Sequence, residues 1–254
     1  MSTDIPLLRA AALTRRFGGL AAVDKVSLDI HLGEIHAVIG TNGAGKSTLV
    51  NMLSGEIAAS EGALHLRGAD ITGWSQGRRA RAGIGRSYQR TTIFPDFSLF
   101  ENCRLAAQAA AQRPWRLWES AAGCRHSGET ARRALEEAGL HDRGHLLAGT
   151  VSHGQQRQLE IAMCLATGPT VLLLDEPLAG MGAEETERML SLLERLRPGH
   201  AIVLVEHDMD AVFRVADRVT VMVNGQVIAT DRPDGIRNNA AVKTAYLGDH
   251  DAAH

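Results

Sequence analysis

The residues with the clearest chemical meaning lie in residues 40–48, where three glycines precede a lysine and two hydroxyl residues. Glycine allows the backbone to curl tightly and to turn successive N–H groups inward, as a bound phosphate requires. The lysine adds a positive charge, and the serine offers a hydroxyl ligand for Mg²⁺. The pattern predicts a loop that binds the phosphates of a nucleoside triphosphate, formed by Gly40, Thr41, Asn42, Gly43, Ala44, Gly45, Lys46, Ser47 and Thr48.

Two adjacent carboxylates, Asp175 and Glu176, follow the apolar run of residues 171–174. Such a run is typical of a strand in a parallel sheet, and ligands gather at the carboxyl ends of such strands. We therefore expect Asp175 to hold the Mg²⁺ shell and Glu176 to polarise the water that attacks the γ-phosphate. An ordinary surface acidic pair is the alternative, which the phosphate loop upstream disfavours.

A histidine, His207, follows a second apolar run, residues 202–205, with one glutamate between them. A parallel strand here would deliver His207 to the same edge of the sheet. Its imidazole could then hydrogen-bond the γ-phosphate and position the water. A histidine with a purely structural role is the alternative.

A third candidate segment begins a helix with an apolar face. Ser152 and Gly154 can offer a hydroxyl and a backbone N–H to a phosphate at the start of that helix. A simple N-cap would explain Ser152 alone, but not the whole string of residues 151–157. Gln89, between the α/β part and a helical part, is uninformative by itself.

The elements around the phosphate loop favour that interpretation over an ordinary glycine turn. Residues 35–39 form an apolar run that predicts a strand buried on both faces. Behind the loop, Leu49, Val50 and Leu53 recur at helical spacing. A strand, a glycine loop and a helix in this order are the context that a phosphate loop needs.

The remaining pattern is that of an α/β protein with a mostly parallel sheet. We predict strands at residues 7–13, 26–30, 63–66, 171–174, 202–205, 219–223 and 226–230, and helices at residues 75–82 and 183–196. The first two strands form an antiparallel layer, and the last two flank Asn224 and Gly225, a strong hairpin signal. Residues 98–167 lack strand signals and predict several helices, inserted into an α/β core formed by residues 1–97 and 168–254 of a single domain.

Composition excludes several classes of protein. The 254 residues are 44% hydrophobic and 22% charged, as in ordinary globular proteins. No apolar run approaches the roughly 20 residues that span a bilayer, and no secretory signal is expected at the N-terminus. Cys103, Cys124 and Cys164 are scattered, so we expect reduced thiols rather than disulfides or a zinc site.

The net charge of the chain does not favour binding to nucleic acid. The formal net charge is -2, whereas nucleic-acid binding usually requires a distinctly basic surface. We therefore interpret the basic cluster as a solvated helix face rather than a phosphate site; it comprises Arg78, Arg79, Arg81, Arg86 and Arg90. No nucleic-acid partner is expected.

Taken together, these motifs resemble those of the ATP-binding subunit of ABC transporters, over nearly the whole chain. The resemblance identifies residues 40–47 as Walker A, Gln89 as the Q-loop, residues 151–155 as the signature, residues 171–175 as Walker B, and His207 as the switch histidine. It implies an ABC ATPase fold: a P-loop NTPase core with an antiparallel β subdomain and a helical subdomain. The cofactors that it implies are ATP and Mg²⁺.

The resemblance also implies residue roles. The implied catalytic residues are Glu176, His207 and Gln89, and the implied Mg²⁺ ligands are Ser47, Gln89 and Asp175. Phe17 matches the aromatic that stacks on adenine, usually tyrosine, with Val23 beside it. The resemblance also implies a head-to-tail dimer with a homologous ATPase subunit. In that dimer, the ATP on the glycine loop of the other subunit would be contacted by Ser152, His153, Gly154 and Gln155. Two departures from the usual pattern are His153 in place of glycine and Gly182 in place of aspartate.

Within that family, the chain is most similar to the branched-chain amino-acid importers, in particular the LivG-like ATPases. The similar strings include residues 16–24, 85–95, 178–181, 206–210 and 245–248. The resemblance implies two membrane permease subunits, an extracytoplasmic solute-binding protein as an indirect partner, and a peripheral position on the cytoplasmic face of the inner membrane. An ATPase of a urea or amide importer and a non-transport ABC ATPase are the alternatives. Phe94, Phe97 and Phe100 follow the Q-loop and are expected to contact the permease or to pack locally.

Overall fold

The computed structural model of the chain describes residues 5–88, 92–111 and 125–247. The strands are β1 (Leu8–Phe17), β2 (Leu20–Ile30), β3 (Ile35–Gly40), β4 (Glu61–Leu66), β5 (Ala69–Asp70), β6 (Ile84–Arg86), β7 (Val171–Asp175), β8 (Ala201–Val205), β9 (Arg218–Val223) and β10 (Gln226–Asp231). The helices are α1 (Lys46–Ser54), α2 (Gln76–Arg81), α3 (Leu99–Ala111), α4 (Arg125–Glu137), α5 (His153–Leu165), α6 (Ala183–Leu196), α7 (Met209–Val215), α8 (Pro233–Asn238) and α9 (Ala240–Leu247).

A six-stranded sheet in the order β10-β9-β3-β8-β7-β6 forms the centre of the fold. β3 pairs in parallel with β8 and β9, and β7 pairs in parallel with β8 and β6. β10 is antiparallel to β9, and the turn between them places Asn224 and Gly225 at φ 49° and 81°, as a tight hairpin turn requires. The predicted parallel sheet and its terminal hairpin are therefore confirmed.

Alternate residues of β7 face two different apolar cores. Leu172 and Leu174 pack into the cluster formed with the helices α3 to α6. Val171 and Leu173 pack into a second cluster, which lies beneath an antiparallel sheet formed by β2, β1, β4 and β5. Every residue of β7 is buried, and full burial of one aliphatic side chain contributes roughly 1.5–3 kcal/mol. Because a one-residue slip would exchange the two faces, the register of β7 is fixed, and so is the position of the carboxylate at its end.

A four-stranded antiparallel sheet in the order β2-β1-β4-β5 lies beside the central sheet. The antiparallel layer was predicted, but β1 and β2 are longer than the predicted residues 7–13 and 26–30. Most residues of the added parts are exposed or only partly buried, and several are charged, which weakened the hydrophobic signal. Register shifts interrupt the pairing of β1 with β2, and Ala12 lies at φ 49°.

The described parts of residues 98–167 are helical, with α3, α4 and α5 and two short 3₁₀ turns. One isolated bridge, between Ser98 and Leu147, is the only strand-like pairing found among the described residues there. The division into an inserted helical part and an α/β part stays a prediction. Among the helices that the structure describes, none combines the length and the apolar composition needed to cross a membrane.

The basic helix α2 is solvated at Arg78 and Arg81, as predicted, but not at Arg79, which is only 3% exposed. Its guanidinium donates to the carbonyl oxygens of Met52 at 2.6 Å, Leu53 at 3.0 Å and Thr72 at 2.8 Å. Two of these carbonyls belong to the last turn of α1, where a cation is favoured by the helix dipole. Arg79 therefore fixes the end of the helix that follows the glycine loop.

Candidate functional site

The glycine loop, residues 40–45, joins β3 to α1 through a backbone that leaves no room for side chains at two positions. A Cβ added to Gly45, at φ 98°, would lie 2.2 Å from the carbonyl oxygen of Ala22, and one added to Gly40 would lie 2.2 Å from that of Met222. The loop is further fixed by a hydrogen bond from the Gly225 N–H to the Ala44 carbonyl. β2 and the β9–β10 turn thus support the loop, contacts that the sequence analysis did not predict.

Lys46 begins α1 and is 8% exposed. Its amine donates to the carbonyl oxygens of Gly40 at 2.7 Å and Thr41 at 3.0 Å, so it curls back over the loop. Burial lowers the pKa of Lys46, and the charges of Glu176 and Asp175 oppose that change. The structure therefore brings the loop lysine and both predicted carboxylates together.

Asp175 closes β7 and is 3% exposed. Its Oδ2 lies 3.7 Å from the guanidinium of Arg86, while its Oδ1 is buried without a hydrogen-bond partner among the described residues. Burial raises the pKa of Asp175, and the neighbouring Arg86 opposes that increase. Arg86 belongs to β6, with its side chain 9% exposed, so it too is not part of a solvated helix face.

An orphaned carboxylate oxygen beside a phosphate loop fits a Mg²⁺ ion. Buried polar atoms normally have partners, so each exception calls for an explanation. Mg²⁺ is commonly held by one or two carboxylates together with substrate phosphates and water. Among the described residues, no group of three or more His, Cys, Asp or Glu side chains could hold a metal ion.

Glu176 adopts the left-handed conformation, with φ 51°, although it is not a glycine. Its N–H donates to the Val205 carbonyl of the neighbouring strand at 2.9 Å. Such a conformation costs on the order of 1–3 kcal/mol and persists only where the surroundings enforce it. The backbone here turns sharply as it leaves the sheet, and that turn determines the direction of the Glu176 side chain.

Glu206, which the sequence analysis did not select, is fully buried at the end of β8. Its carboxylate accepts hydrogen bonds from the N–H groups of Leu178 at 2.8 Å and His207 at 3.3 Å. Burial raises the pKa of Glu206 to about 7, against the effect of these bonds. The sequence signal that could have identified Glu206 is an acidic residue directly after an all-apolar strand. His207 itself has a side chain that is 64% exposed.

Ser152 caps the N-terminus of α5. Its Oγ accepts from the Gln155 N–H at 3.4 Å, and the Gln155 side chain accepts from the Ser152 N–H at 3.1 Å, which forms a capping box. The helix therefore starts where predicted, despite His153. Within the part of the chain that the structure describes, no hydrogen bond or ion pair joins Ser152, His153, Gly154 or Gln155 to residues 40–48.

The other predicted site residues have different surroundings. Phe17 lies at the end of β1, is 46% exposed, and has the Arg15 guanidinium 4.7 Å from its ring centroid. Val23 is fully buried in an apolar cluster, so its side chain does not share that surface. Ser47 is exposed at the start of α1. Gln89 lies outside the described residues.

Comparison with known proteins agrees with this geometry. Residues 23–179 match the ABC transporter family, and residues 226–252 match the family described as branched-chain amino acid ATP-binding cassette transporter. The high-affinity branched-chain amino acid transport ATP-binding protein BraF of Pseudomonas aeruginosa is 37% identical over 96% of this chain and 98% of its own length. The corresponding protein LivG of Escherichia coli is 38% identical over the same shares.

Solved structures show the same fold. A nucleotide-free ATP-binding cassette of an ABC transporter superposes with a TM-score of 0.85 at 28% identity, over 94% of this chain and 98% of that one. The ADP conformation of such a cassette gives a TM-score of 0.82 at 28% identity, over 95% and 98%. From its sequence and its fold, the chain belongs to the ABC transporter family, as an ATP-binding cassette ATPase.

Proposed function

We propose that this chain is the ATP-hydrolysing subunit of an importer for branched-chain amino acids. The observation that carries the proposal is the meeting of Lys46, Asp175 and Glu176 at one edge of the central sheet, where both carboxylates act on the lysine charge. A cation for the phosphates, a ligand for a metal and a base for water are the groups that ATP hydrolysis requires.

The glycine loop would bind the β- and γ-phosphates through its N–H groups, reinforced by the N-terminus of α1. Lys46 would exchange its two carbonyl contacts for phosphate oxygens, which are stronger acceptors because they are charged. Phe17 would stack on the adenine, with Val23 supporting the strand beneath. The exposed fraction of Phe17, 46%, leaves a ring face open for that contact.

Asp175, Ser47 and Gln89 would hold Mg²⁺, with the orphaned Oδ1 of Asp175 as the ligand best supported by the geometry. The bound ion supplies charge neutralisation between the β- and γ-phosphates. Glu176 would accept a proton from the attacking water, and the enforced backbone turn at this residue would keep its carboxylate aimed at the site. His207 would hydrogen-bond the γ-phosphate, with its backbone N–H held by Glu206.

Ser152, His153, Gly154 and Gln155 would bind the γ-phosphate of an ATP held by a homologous subunit, a second copy or a relative. Each subunit would then supply half of two sites, and ATP binding would close the pair. Closure would drive two membrane permease subunits on the cytoplasmic face of the inner membrane, with an extracytoplasmic binding protein as indirect partner. Phe94 and Phe97, 51% and 43% exposed, offer an apolar contact to a permease.

The branched-chain substrate class rests on the match of residues 226–252 and on the two full-length relatives. Urea or amide import and a non-transport role are the competing functions. Copurification through a tag on this chain distinguishes transport from a non-transport role. If the chain serves transport, membrane permeases should be recovered with it rather than ribosomes or DNA. Binding of leucine, isoleucine and valine, rather than urea or amides, to the extracytoplasmic partner tests the substrate class.

The substitution Glu176→Gln tests the catalytic assignment. It removes the base but keeps the size of the side chain, so ATP should still bind and a closed dimer should accumulate, while kcat falls by roughly 10²–10⁴-fold. Glu184→Gln, which changes an exposed carboxylate of α6, is the matched control and should hydrolyse ATP normally. Hydrolysis by the Glu176→Gln variant at a near-normal rate would reject the role of Glu176 as base.

A further inference from the structure

Glu185, in the first turn of α6, reaches across to the start of α5. Ser152 Oγ donates a hydrogen bond to Glu185 Oε1 at 2.7 Å. This bond is the largest cause that lowers the pKa of Glu185, and the nearby N–H groups of Gly154 and Gly182 and the His153 side chain act in the same direction. An ionised carboxylate is therefore bound by the start of α5.

The hydroxyl that holds Glu185 cannot serve a second anion at the same time, because a serine hydroxyl has one proton. Ser152 Oγ accepts from the Gln155 N–H of the capping box and donates its proton to Glu185. The hydroxyl donor that would face a phosphate is thus satisfied within this chain.

Glu185 also fills the space in front of Gly154. A Cβ added to Gly154 would lie 2.6 Å from Glu185 Cδ and 2.7 Å from Oε1. The carboxylate therefore rests directly on the glycine, where a phosphate oxygen would have to approach. This close contact is independent of the hydrogen bond from Ser152, and it places the negative charge at the same point.

We propose that Glu185 is a positioning residue for ATP hydrolysis, whose carboxylate holds the Ser152 hydroxyl and covers Gly154 until the γ-phosphate of the facing ATP displaces it. The inference rests on the proposed function, in which Ser152 and Gly154 face that phosphate. Two anions at the same place repel each other strongly at such short range. Closure of the two subunits therefore requires the Glu185 side chain to rotate away.

The test is the ATP dependence of hydrolysis by the intact assembly, copurified from membranes through a tag on this chain. Glu185→Ala removes the competing anion, so KM for ATP should fall by about 3–10-fold, the range expected for one exchanged hydrogen bond, while kcat changes by less than about twofold. Glu185→Gln keeps an acceptor without the charge and should give an intermediate KM. Glu184→Ala makes the same charge change one residue away and should leave KM unchanged.

The chain alone provides a second readout. Because the Glu185 carboxylate lies against Gly154, its loss should shift the amide resonance of Gly154 in Glu185→Ala but not in Glu184→Ala. An unchanged resonance, an unchanged KM in Glu185→Ala, or a fall in kcat without a change in KM would overturn the inference. A parental assembly that hydrolyses no ATP would instead contradict the proposed function itself.

Discussion

The starts of α1 and α5 are both helix N-termini suited to bind a phosphate, but they are shaped by different parts of the chain. The loop before α1 is fixed by backbone, since the Ala22 and Met222 carbonyls lie against Gly45 and Gly40. The start of α5 is fixed by side chains, through the capping box and Glu185. The backbone that surrounds the glycine loop cannot move away without unfolding, whereas a carboxylate on the surface can rotate away from its hydrogen-bond donor. In the proposed site, one half would therefore be preorganised, and the other half could be switched.

Substitution of Gly45 tests the rigidity of the first half and should have the largest effect. Gly45→Ala would force a side chain into φ 98° and place its Cβ 2.2 Å from the Ala22 carbonyl oxygen. We expect the free energy of unfolding to fall by about 2–5 kcal/mol, from backbone strain and overpacking together. Urea denaturation measures this. Gly73→Ala, where nothing lies within 4 Å, is the control, and equal losses in both variants would contradict a backbone-fixed loop.

Removal of the Lys46 amine tests the electrostatic contribution of the same half. Lys46→Ala should weaken ATP binding by roughly 100-fold, because charge-assisted hydrogen bonds contribute about 1.5–3 kcal/mol. Isothermal titration with ATP gives the affinity. Lys243→Ala, which changes an exposed lysine of α9, should bind ATP as the parent does. Unchanged affinity in Lys46→Ala would count against a phosphate loop at residues 40–47.

Glu206 lies beside both predicted catalytic residues of the sheet edge, since its carboxylate accepts from the N–H groups of Leu178, two residues after Glu176, and of His207. Burial raises its pKa from 4.5 to about 7 in the folded chain. Because the folded chain binds this proton more tightly than the unfolded chain, the stabilisation is complete below about pH 4.5 and is lost as the pH rises through about 7.

Glu206→Gln removes this titration. Relative to the parent, the variant should therefore gain about 2 kcal/mol in the free energy of unfolding between pH 5.5 and pH 8. Denaturation of both proteins at the two pH values measures the difference. Glu184→Gln, at an exposed carboxylate, should show no such pH-dependent gain. A parallel pH dependence of the parent and Glu206→Gln would show that Glu206 does not titrate in this range.

The two halves also differ in how far their sequence predicts them. Asp175 and His207 follow apolar strands, so their position at the sheet edge follows from a local pattern and the geometry of parallel strands. The contact of Ser152 with Glu185 joins residues 33 apart in sequence and depends on the packing of α5 against α6. Nothing in either segment alone indicates it.

The burial of Arg79 escaped the sequence analysis for a related reason. Its partners are the backbone carbonyls of Met52 and Leu53 at the end of α1. Every residue has a backbone carbonyl, so the residue types give no sign of this contact. A solvated arginine and one that caps a distant helix have the same local pattern, and only the packing of α2 against α1 separates them. Motifs carried by strands were therefore predictable, whereas side chains that join two helices were not.

The smallest expected effect on stability distinguishes the two halves most directly. A Cβ at Gly154 would meet Glu185 Cδ at 2.6 Å, but that group is the end of a flexible side chain rather than backbone. Gly154→Ala should therefore push the carboxylate aside and change the free energy of unfolding by less than about 1 kcal/mol, partly because alanine favours a helix over glycine. The same urea denaturation as for Gly45→Ala provides the measurement. A loss as large as that of Gly45→Ala would mean that the start of α5 is as rigid as the glycine loop, and that Glu185 is not free to leave it.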